Sequence, residues 1–420
     1  MNILQVSQFE ISGGAAWTAQ MVRRHLNSLA VNNTMLVGLK ETDDIQVFEA
    51  PVDKIKKRLS FLLGRDDVVW SKNYLVGKDF YNNADIVHFY NIFGRFLDFD
   101  VVAQIFREKK VIWTLPDEWA FSGNCSFTFE NNNPVNGFFD SPSMAEIISK
   151  TLYGRSLNKR SIYVITRELF KKAIISKSEL YNQKRRMYRD FNGVLIAPSK
   201  WMADRISKSV LAGKDLRLIY SGINGEKFKP GNKLLSRNIL NLPPDKKIFL
   251  YVADGGKDSF YKGWNYCLSS IVALKNDPSV LFLCAGNDLD HIEKRDNVWY
   301  IGRIANEQIN DYYAAADFFL YPSLADNFPL VVLEAMASGL PVISFRTGGI
   351  PEMIEHLKLG YIANYADSSS LLEGVKWALS LDEGLLKKIA ILSRLKFDNN
   401  FSESIMLKNY FKLYQEIVNK

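Results

Sequence analysis

The sequence predicts an α/β protein of two domains, each a mostly parallel sheet covered by helices on both faces. Three observations lead there. The chain has 420 residues, too many for one ordinary core, so two domains of about 200 residues are expected. In the second half, short runs that are apolar throughout alternate with helical stretches of about 10–15 residues, as in strands buried on both faces. Hydrophobic content of 47% beside 24% charged residues is that of a globular protein, not a disordered or fibrous one.

Taken in order, the first half reads as strands at 2–7, 33–39, 84–91, 109–115, 193–199 and 216–222. Residues 123–150, irregular and rich in Asn, Phe, Pro and Ser, read as a loop or lid. Gly, Pro and charge cluster at 222–247, which marks the join. The second half gives strands at 246–254, 279–286, 298–302, 317–323 and 341–345. The helix at 329–339 has Pro329 in its first turn and is closed by Gly339 and Pro341. At the end of the chain, Met406, Tyr410, Leu413 and Ile417 recur at helical spacing. The expected division is therefore 1–225, 226–400, and a C-terminal helix at 401–420 packing back on the first domain.

Several classes are set aside. The opening "MNILQVSQ" reads as a buried strand, not a signal peptide. No uncharged apolar run approaches the ~18 residues of a membrane span. Three cysteines (Cys125, Cys267, Cys284), odd in number and far apart, suit a reducing cytoplasm. The four histidines (His25, His88, His291, His356) never fall at ligand spacing, so no metal site is expected. Charge is uneven. Residues 150–189 hold 12 Lys and Arg against Glu168 and Glu179, a net +10 in a chain of +7, so the other residues sum to −3. Basicity is local, and calls for an anionic surface or ligand in one place.

In open α/β sheets, ligands bind beyond the carboxyl ends of strands, where helix starts present N–H groups to anions. Three segments are so placed. "ISGGAAWTA" follows the first strand, with Gly13 and Gly14 allowing close backbone approach before a helix. It is not a GxGxxG fingerprint, and a Gly-Gly pair alone is more often a turn. In "YPSLADNFPLVVLEAMASGLPVISFRTGGIPE", Asp326 lies before a helix and Glu334 inside it. Asp326 alone reads as a helix cap and Glu334 as an ordinary helix charge. Glu334, however, stands among Val332, Leu333, Ala335 and Met336, and an acid there needs a partner. In "YKGW", Lys262 can meet a diphosphate as a point charge, or lie solvated on the surface.

Together these segments resemble glycosyltransferase family four, retaining enzymes of GT-B fold, and within it the bacterial enzymes of capsule, O-antigen and colanic-acid-type polysaccharides. The resemblance runs through most of the chain. It is most specific in "NFPLVVLEAMASGLPVISFRTGGIPEMI", "YKGW" and "IYSGINGEKFKP", and continues in "SGGAAWTA", "ADIVHFYNIF", "VIWTLPDEWAFSGNC" and "LIAPSKWMADRISKS". It implies two Rossmann-like domains facing each other across a cleft. The first would take the acceptor and the second the donor, a nucleotide diphosphate sugar, with no metal or other cofactor.

By the same resemblance, Glu334 would bind the nucleotide ribose, and Asp326 would stand for the first Glu of the family's E-x7-E pattern, on the donor sugar. Backbone near Asn327, Phe328 and Leu330 would hold that sugar. Lys262 and the Gly13–Gly14–Ala15 backbone would hold the diphosphate, and Asp117 would act in the active site. Two positions depart from the pattern. Asp326 is one methylene shorter than Glu, and a misplacement of ~1 Å can cost ~10²-fold in rate. Pro116 stands where relatives carry the His of a His-Asp pair, leaving Asp117, or His88, to serve near the transferred sugar.

The implied activity is retaining, metal-independent transfer of a hexose-type sugar to a glycan or lipid-linked acceptor in cell-surface polysaccharide synthesis. The alternatives are a catalytically impaired sugar-nucleotide-binding protein, prompted by Pro116 and Asp326, and an epimerase or hydrolase of the same fold. Asp288-x-Asp290 and Asp98-x-Asp100 read as solvated or helix-capping acids, not a metal motif. Trp113, Trp119, Phe121, Phe127 and Phe129 offer rings for an acceptor sugar, and read equally well as core. The basic residues of 54–65 (Lys54, Lys57, Arg58, Arg65) and 150–189 predict attachment to an anionic membrane at its cytoplasmic face. No nucleic-acid motif accompanies them.

Overall fold

In the computed structural model the chain divides into two units, Met1–Ile219 with Leu407–Lys420, and Tyr220–Met406. The structure describes residues 1–51, 74–75, 77–92, 96–122, 126–127, 180–287, 289 and 291–420. The 54–65 segment, nearly all of the loop at 123–150, the basic residues of 150–179, Cys125, Phe129, Asp288 and Asp290 lie outside the described residues.

The first unit is a seven-stranded sheet of β1 (Asn2–Phe9), β2 (Asn32–Leu39), β3 (Val47–Glu49), β4 (Ile86–Phe89), β5 (Lys110–Thr114), β6 (Val194–Ala197) and β7 (Asp215–Leu218). Its order is β3-β2-β1-β4-β5-β6-β7, parallel throughout. Ile86, Val87 and Phe89 of β4 and Val111, Ile112 and Trp113 of β5 are buried, because helices cover both faces. Residues Trp113, Trp119 and Phe121 belong to this core. They are not platforms for an acceptor sugar, since strand and 3₁₀ backbone turn them inward.

The second unit repeats the plan with β8 (Lys247–Val252), β9 (Val280–Ala285), β10 (Glu293–Arg295), β11 (Val298–Gly302), β12 (Phe318–Tyr321), β13 (Val342–Phe345) and β14 (Gly360–Ala363). Here the order is β10-β11-β9-β8-β12-β13-β14, with only β10 antiparallel. Strands β3, β10 and β14 have no counterpart among the strands read from sequence. Two of them have three residues each, too short for a pattern, and β10 is wholly charged.

The helix Glu403–Asn419 carries Tyr410, Leu413, Tyr414 and Ile417 buried on one side. Its residues from Leu407 on belong to the first unit. Tyr414 Oη lies 2.5 Å from His88 Nδ1, and Tyr410 Oη lies 3.0 Å from Thr114 Oγ1. Thr114 in turn meets His88 Nε2 at 2.9 Å, while Lys110 donates to the Ile417 and Val418 carbonyls. Buried among these groups, the His88 imidazole is held neutral, its pKa brought down to about 3. It is fully covered, so it anchors this helix and is not open to an acceptor.

Candidate active site

A chain that reverses its strand order leaves a crevice where the order turns. In the second unit that point lies between β8 and β12, and the segments following these two strands carry the predicted charges. Lys262 comes from the 3₁₀ turn Phe260–Lys262 after β8, Asp326 from the loop after β12. Lys262 Nζ donates to Asp326 Oδ2 at 2.7 Å and to Tyr321 Oη at 2.8 Å. Tyr321 Oη donates to the same Oδ2 at 2.7 Å. Burial alone would draw the Lys262 ammonium down, but the Asp326 carboxylate and the Tyr321 hydroxyl outweigh it and hold the charge firmly. The Lys262 and Asp326 side chains keep 14% and 15% of their surface open, so the pair sits at a mouth rather than in the core.

The loop holding Asp326 is fixed by its backbone. Leu324 N donates to Tyr261 O at 2.7 Å, Thr347 Oγ1 to Ser323 O at 2.8 Å, and Gly349 N to Asn327 O at 2.7 Å. Gly348, at φ +52°, lies directly over the Asp326 carbonyl, and Gly263, at φ +76°, over that of Pro322; a Cβ at either would clash. Asn327 and Phe328 are buried in the same loop, and the Phe328 ring packs on Tyr220 and Phe401.

Pro329 caps the helix Leu330–Ala337, with Leu330 half-buried as its first residue. Tyr313 Oη donates to Glu334 Oε2 at 2.8 Å, supplying the partner an acid in an apolar helix requires. Burial raises the Glu334 carboxyl above its usual range, against the Tyr313 hydrogen bond and the Lys227 charge. Asp326 and Glu334 therefore lie in two neighbouring clusters, one around Lys262 and one around Tyr313. Tyr321 and Tyr313 were illegible as site residues, because each sits inside an apolar run that reads as buried core. The place of Tyr321, last in a strand beside the switch point, was the available signal.

The remaining predicted residues belong to the first unit. Gly13 (φ +88°) precedes the helix Gly14–Ser28, whose first intrahelical bond runs from Trp17 N to Gly13 O. Gly13 and Gly14 are exposed and Ala15 is half-buried. The turn before them is held by two glutamates that sequence reading missed. Glu10 Oε2 accepts from the Glu41 and Thr42 amides at 2.7 and 2.8 Å, and Glu41 Oε2 from the Ile11 and Ser12 amides at 2.9 and 3.0 Å. They lie 31 residues apart in the chain and in no motif, so only the fold pairs them.

Asp117 is buried after β5, its Oδ1 accepting from Trp119 N at 2.9 Å. Burial pushes its carboxyl up to about 7, opposed by that bond and by the Lys184 charge. Lys184 is itself covered, 3.6 Å from the centre of the Trp119 ring and donating to the Trp119 and Ser122 carbonyls. This corrects its place in the basic stretch: Lys184 cannot reach a membrane. Asp98 caps the helix Phe99–Glu108 through Asp100 N. Cys267 and Cys284 are buried and free. Among the described residues no three His, Cys, Asp or Glu gather as metal ligands, and no helix is long and apolar enough to cross a membrane.

Residues 232–392, which include Lys262, Tyr313, Tyr321, Asp326 and Glu334, match the family model described as glycosyl transferases group 1. Among curated proteins the chain is similar to sulfoquinovosyl transferase SQD2 of Arabidopsis thaliana, 29% identical over 172 residues, 39% of this chain and 33% of that one. The chain spans a third to about three-fifths of the length of the first curated relatives it matches. Among solved structures it is similar to sucrose-phosphate synthase from Thermosynechococcus elongatus, with TM-score 0.69, 17% identity and 99% of both chains covered. It is also similar to HepE of Anabaena in complex with UDP, with TM-score 0.65, 15% identity, and 99% of this chain and 100% of that one covered. At such identities these likenesses give the fold. The chain thus carries a group 1 glycosyl transferase segment over residues 232–392, within a GT-B fold of two Rossmann-like domains that runs through its whole length.

Proposed function

We propose that the protein is a retaining, metal-independent glycosyltransferase. It moves a hexose-type sugar from a nucleotide diphosphate sugar to a glycan or lipid-linked acceptor in cell-surface polysaccharide synthesis. One observation carries this reading: the Lys262–Tyr321–Asp326 cluster flanks the switch point of the segment that matches group 1 glycosyl transferases. A nucleoside diphosphate leaving group gains negative charge as its bond to the sugar breaks, and a fixed ammonium at that point stabilises it. Lys262 is such a group.

Lys262 and Tyr321 both donate to Oδ2 of Asp326, and in this reading Oδ1 takes a sugar hydroxyl. Tyr313 occupies Oε2 of Glu334, and Oε1 takes a ribose hydroxyl. In this reading the acceptor hydroxyl attacks from the face that the diphosphate leaves, and a phosphate oxygen receives its proton. No enzymic nucleophile takes part. Asp117, the remaining acid of the departed His-Asp pair, lines the acceptor side. The Gly13–Ala15 helix start offers backbone N–H groups to phosphate. Work at the inner face of an anionic membrane belongs to the same reading, through basic residues other than Lys184.

The UDP of the HepE structure makes UDP-sugars the first donors to try. The test begins with thermal shifts for uridine, guanosine, adenosine and thymidine diphosphate sugars. Transfer to candidate acceptors follows, with the anomer of the fresh product read by proton NMR. Retention of configuration, undiminished by a chelator, is the expected result. An inverted product, or activity lost to the chelator and restored by manganese, would overturn it. Donor binding with no transfer to any acceptor would favour the sugar-nucleotide-binding alternative.

A further inference from the structure

Residues 180–187 form a helical segment that continues into the 3₁₀ turn Tyr188–Asp190. Its inner side is fully engaged. Leu180, Lys184, Met187 and Tyr188 are buried, and Tyr188 Oη donates to the Ala120 carbonyl at 2.5 Å. Its outer side carries Asn182, Arg185, Arg186 and Arg189, all exposed. Asn182, Arg185 and Arg189 are spaced as neighbours on one helical face, with Arg186 beside them. Together with Tyr188 and Val210 these side chains line a cavity of about 580 Å³, within the range of small-ligand sites.

The three guanidinium groups have no carboxylate partner among the described residues, and the described acids nearest in sequence are taken elsewhere. Asp190 accepts from Arg107 at 2.8 Å, and Asp204 from Lys208 at 2.7 Å. Like charges three or four residues apart repel and destabilise a helix, so a basic cluster gathered around a hollow is one carboxylate or phosphate short of balance. A planar guanidinium with paired N–H donors suits phosphate oxygens better than an ammonium does. We infer that this cavity is a binding site for a phosphate-bearing ligand, held by Arg185, Arg186 and Arg189. Asn182 donates a further hydrogen bond, and Tyr188 and Val210 form an apolar wall. The site is independent of the donor reading, since it shares no residue with the Lys262 cluster. Two sources supply this chemistry, a soluble phosphate compound and a phospholipid headgroup.

The test uses the full chain in low salt with two probes, inorganic pyrophosphate by calorimetry and vesicles of phosphatidylglycerol and phosphatidylcholine by sedimentation. The variant R185Q/R186Q/R189Q is read against two controls. One is K262M, which removes the donor-site cation. The other is K376Q/K387Q/K388Q, which removes the same charge from other exposed positions. Circular dichroism establishes that each variant is folded.

The arginine variant is expected to bind at least one probe ~10-fold more weakly or worse, the loss that about 1.4 kcal/mol of charge-assisted hydrogen bonding represents. The surface-lysine control stays within about twofold, beyond which general screening by charge would be the simpler account, whereas any pyrophosphate held at the donor site is lost in K262M and kept in the arginine variant. Saturable pyrophosphate binding that is kept in K262M and lost in the arginine variant identifies a soluble phosphate. Vesicle binding that pyrophosphate competes away identifies a headgroup. If the wild type binds neither probe, or the folded arginine variant binds both as the wild type does, the inference is wrong. A failure of Lys262-dependent donor binding in the same protein would count against the transferase reading alone.

Discussion

The two units carry the same kinds of side chain and use them differently. In the first, His88 and Lys184 are wholly covered and bond hydroxyls and carbonyls of the fold. Glu118 is buried as well and paired with Arg205. In the second, Lys262 and Asp326 hold each other while both remain partly open. A polar group whose partners are all internal fixes the chain, and removing it is expected to change stability. A charge paired at a mouth can exchange its partner for a ligand, and removing it is expected to change binding. Residue type does not separate these cases; access does.

The sharpest way to break this comparison is Lys262→Met, which keeps a long unbranched side chain but carries no charge. Nucleoside diphosphate binding is expected to fall by ~10²-fold, the upper range for hydrogen bonds to a charged group. Calorimetry on the folded variant reads it directly, and an unchanged affinity would remove Lys262 from the site. Glu334→Ala follows, with binding of the nucleoside diphosphate weakened by ~1.5–3 kcal/mol. Because burial raises the Glu334 carboxyl, wild-type affinity should also decline on acidification earlier than an ordinary glutamate would make it. Glu334→Gln should flatten that decline.

His88→Ala probes the other side of the comparison. It leaves Tyr414 Oη and Thr114 Oγ1 without their buried partner, and a loss of ~2–4 kcal/mol in folding stability is expected. Donor affinity at a temperature where the variant is folded should not move. If affinity falls as much as stability, the division between anchoring and binding groups fails.

Asp117 gives a pH signature. Its folded-state pKa, about 7, lies above the ordinary carboxyl value, so the fold favours the protonated acid. That stabilisation is complete below about pH 4, the unfolded range, and is lost as pH rises through about 7. Thermal unfolding of the wild type should weaken across this window, and Asp117→Asn should not follow it. The smallest effect is that of Tyr313→Phe, which removes one hydrogen bond from Glu334. Nucleotide affinity is expected to drop by about 1 kcal/mol, measurable against the larger loss in Glu334→Ala.

Much of the architecture could be read before the fold was known, for reasons specific to each element. Strand β9, "VLFLCA", is buried on both faces and so apolar at every position, and strand β13, "VISF", is apolar but for Ser344, whose hydroxyl donates to the Tyr321 carbonyl. Strand β10, "EKR", lies at a sheet edge where no such demand acts. In the site, Lys262 and Asp326 were legible because a charge at a strand end is unusual, whereas Tyr321 was hidden by being the apolar end of its own strand. Lys184 misled in the opposite direction. Its neighbours Arg185 and Arg186 are exposed, and nothing in the local sequence tells that one cation of the three turns inward to stack on Trp119. The Glu10–Glu41 clamp depends on two loops meeting, which no local pattern encodes.

The membership of Leu407–Lys420 in the first unit bears on how the chain is made. Synthesis proceeds from the N-terminus and domains generally fold as they emerge. Here residues 1–219 leave the ribosome with the hydroxyl of Thr114 and the imidazole of His88 still lacking Tyr410 and Tyr414. The second unit, though translated later, has all of its residues first. The earlier-born half is therefore the last to be finished, and must wait for the final helix while its neighbour folds. A nascent chain that has emerged as far as Met406 would hold a complete second unit and an unfinished first one, and that first half is where chaperones and proteases would find their opening.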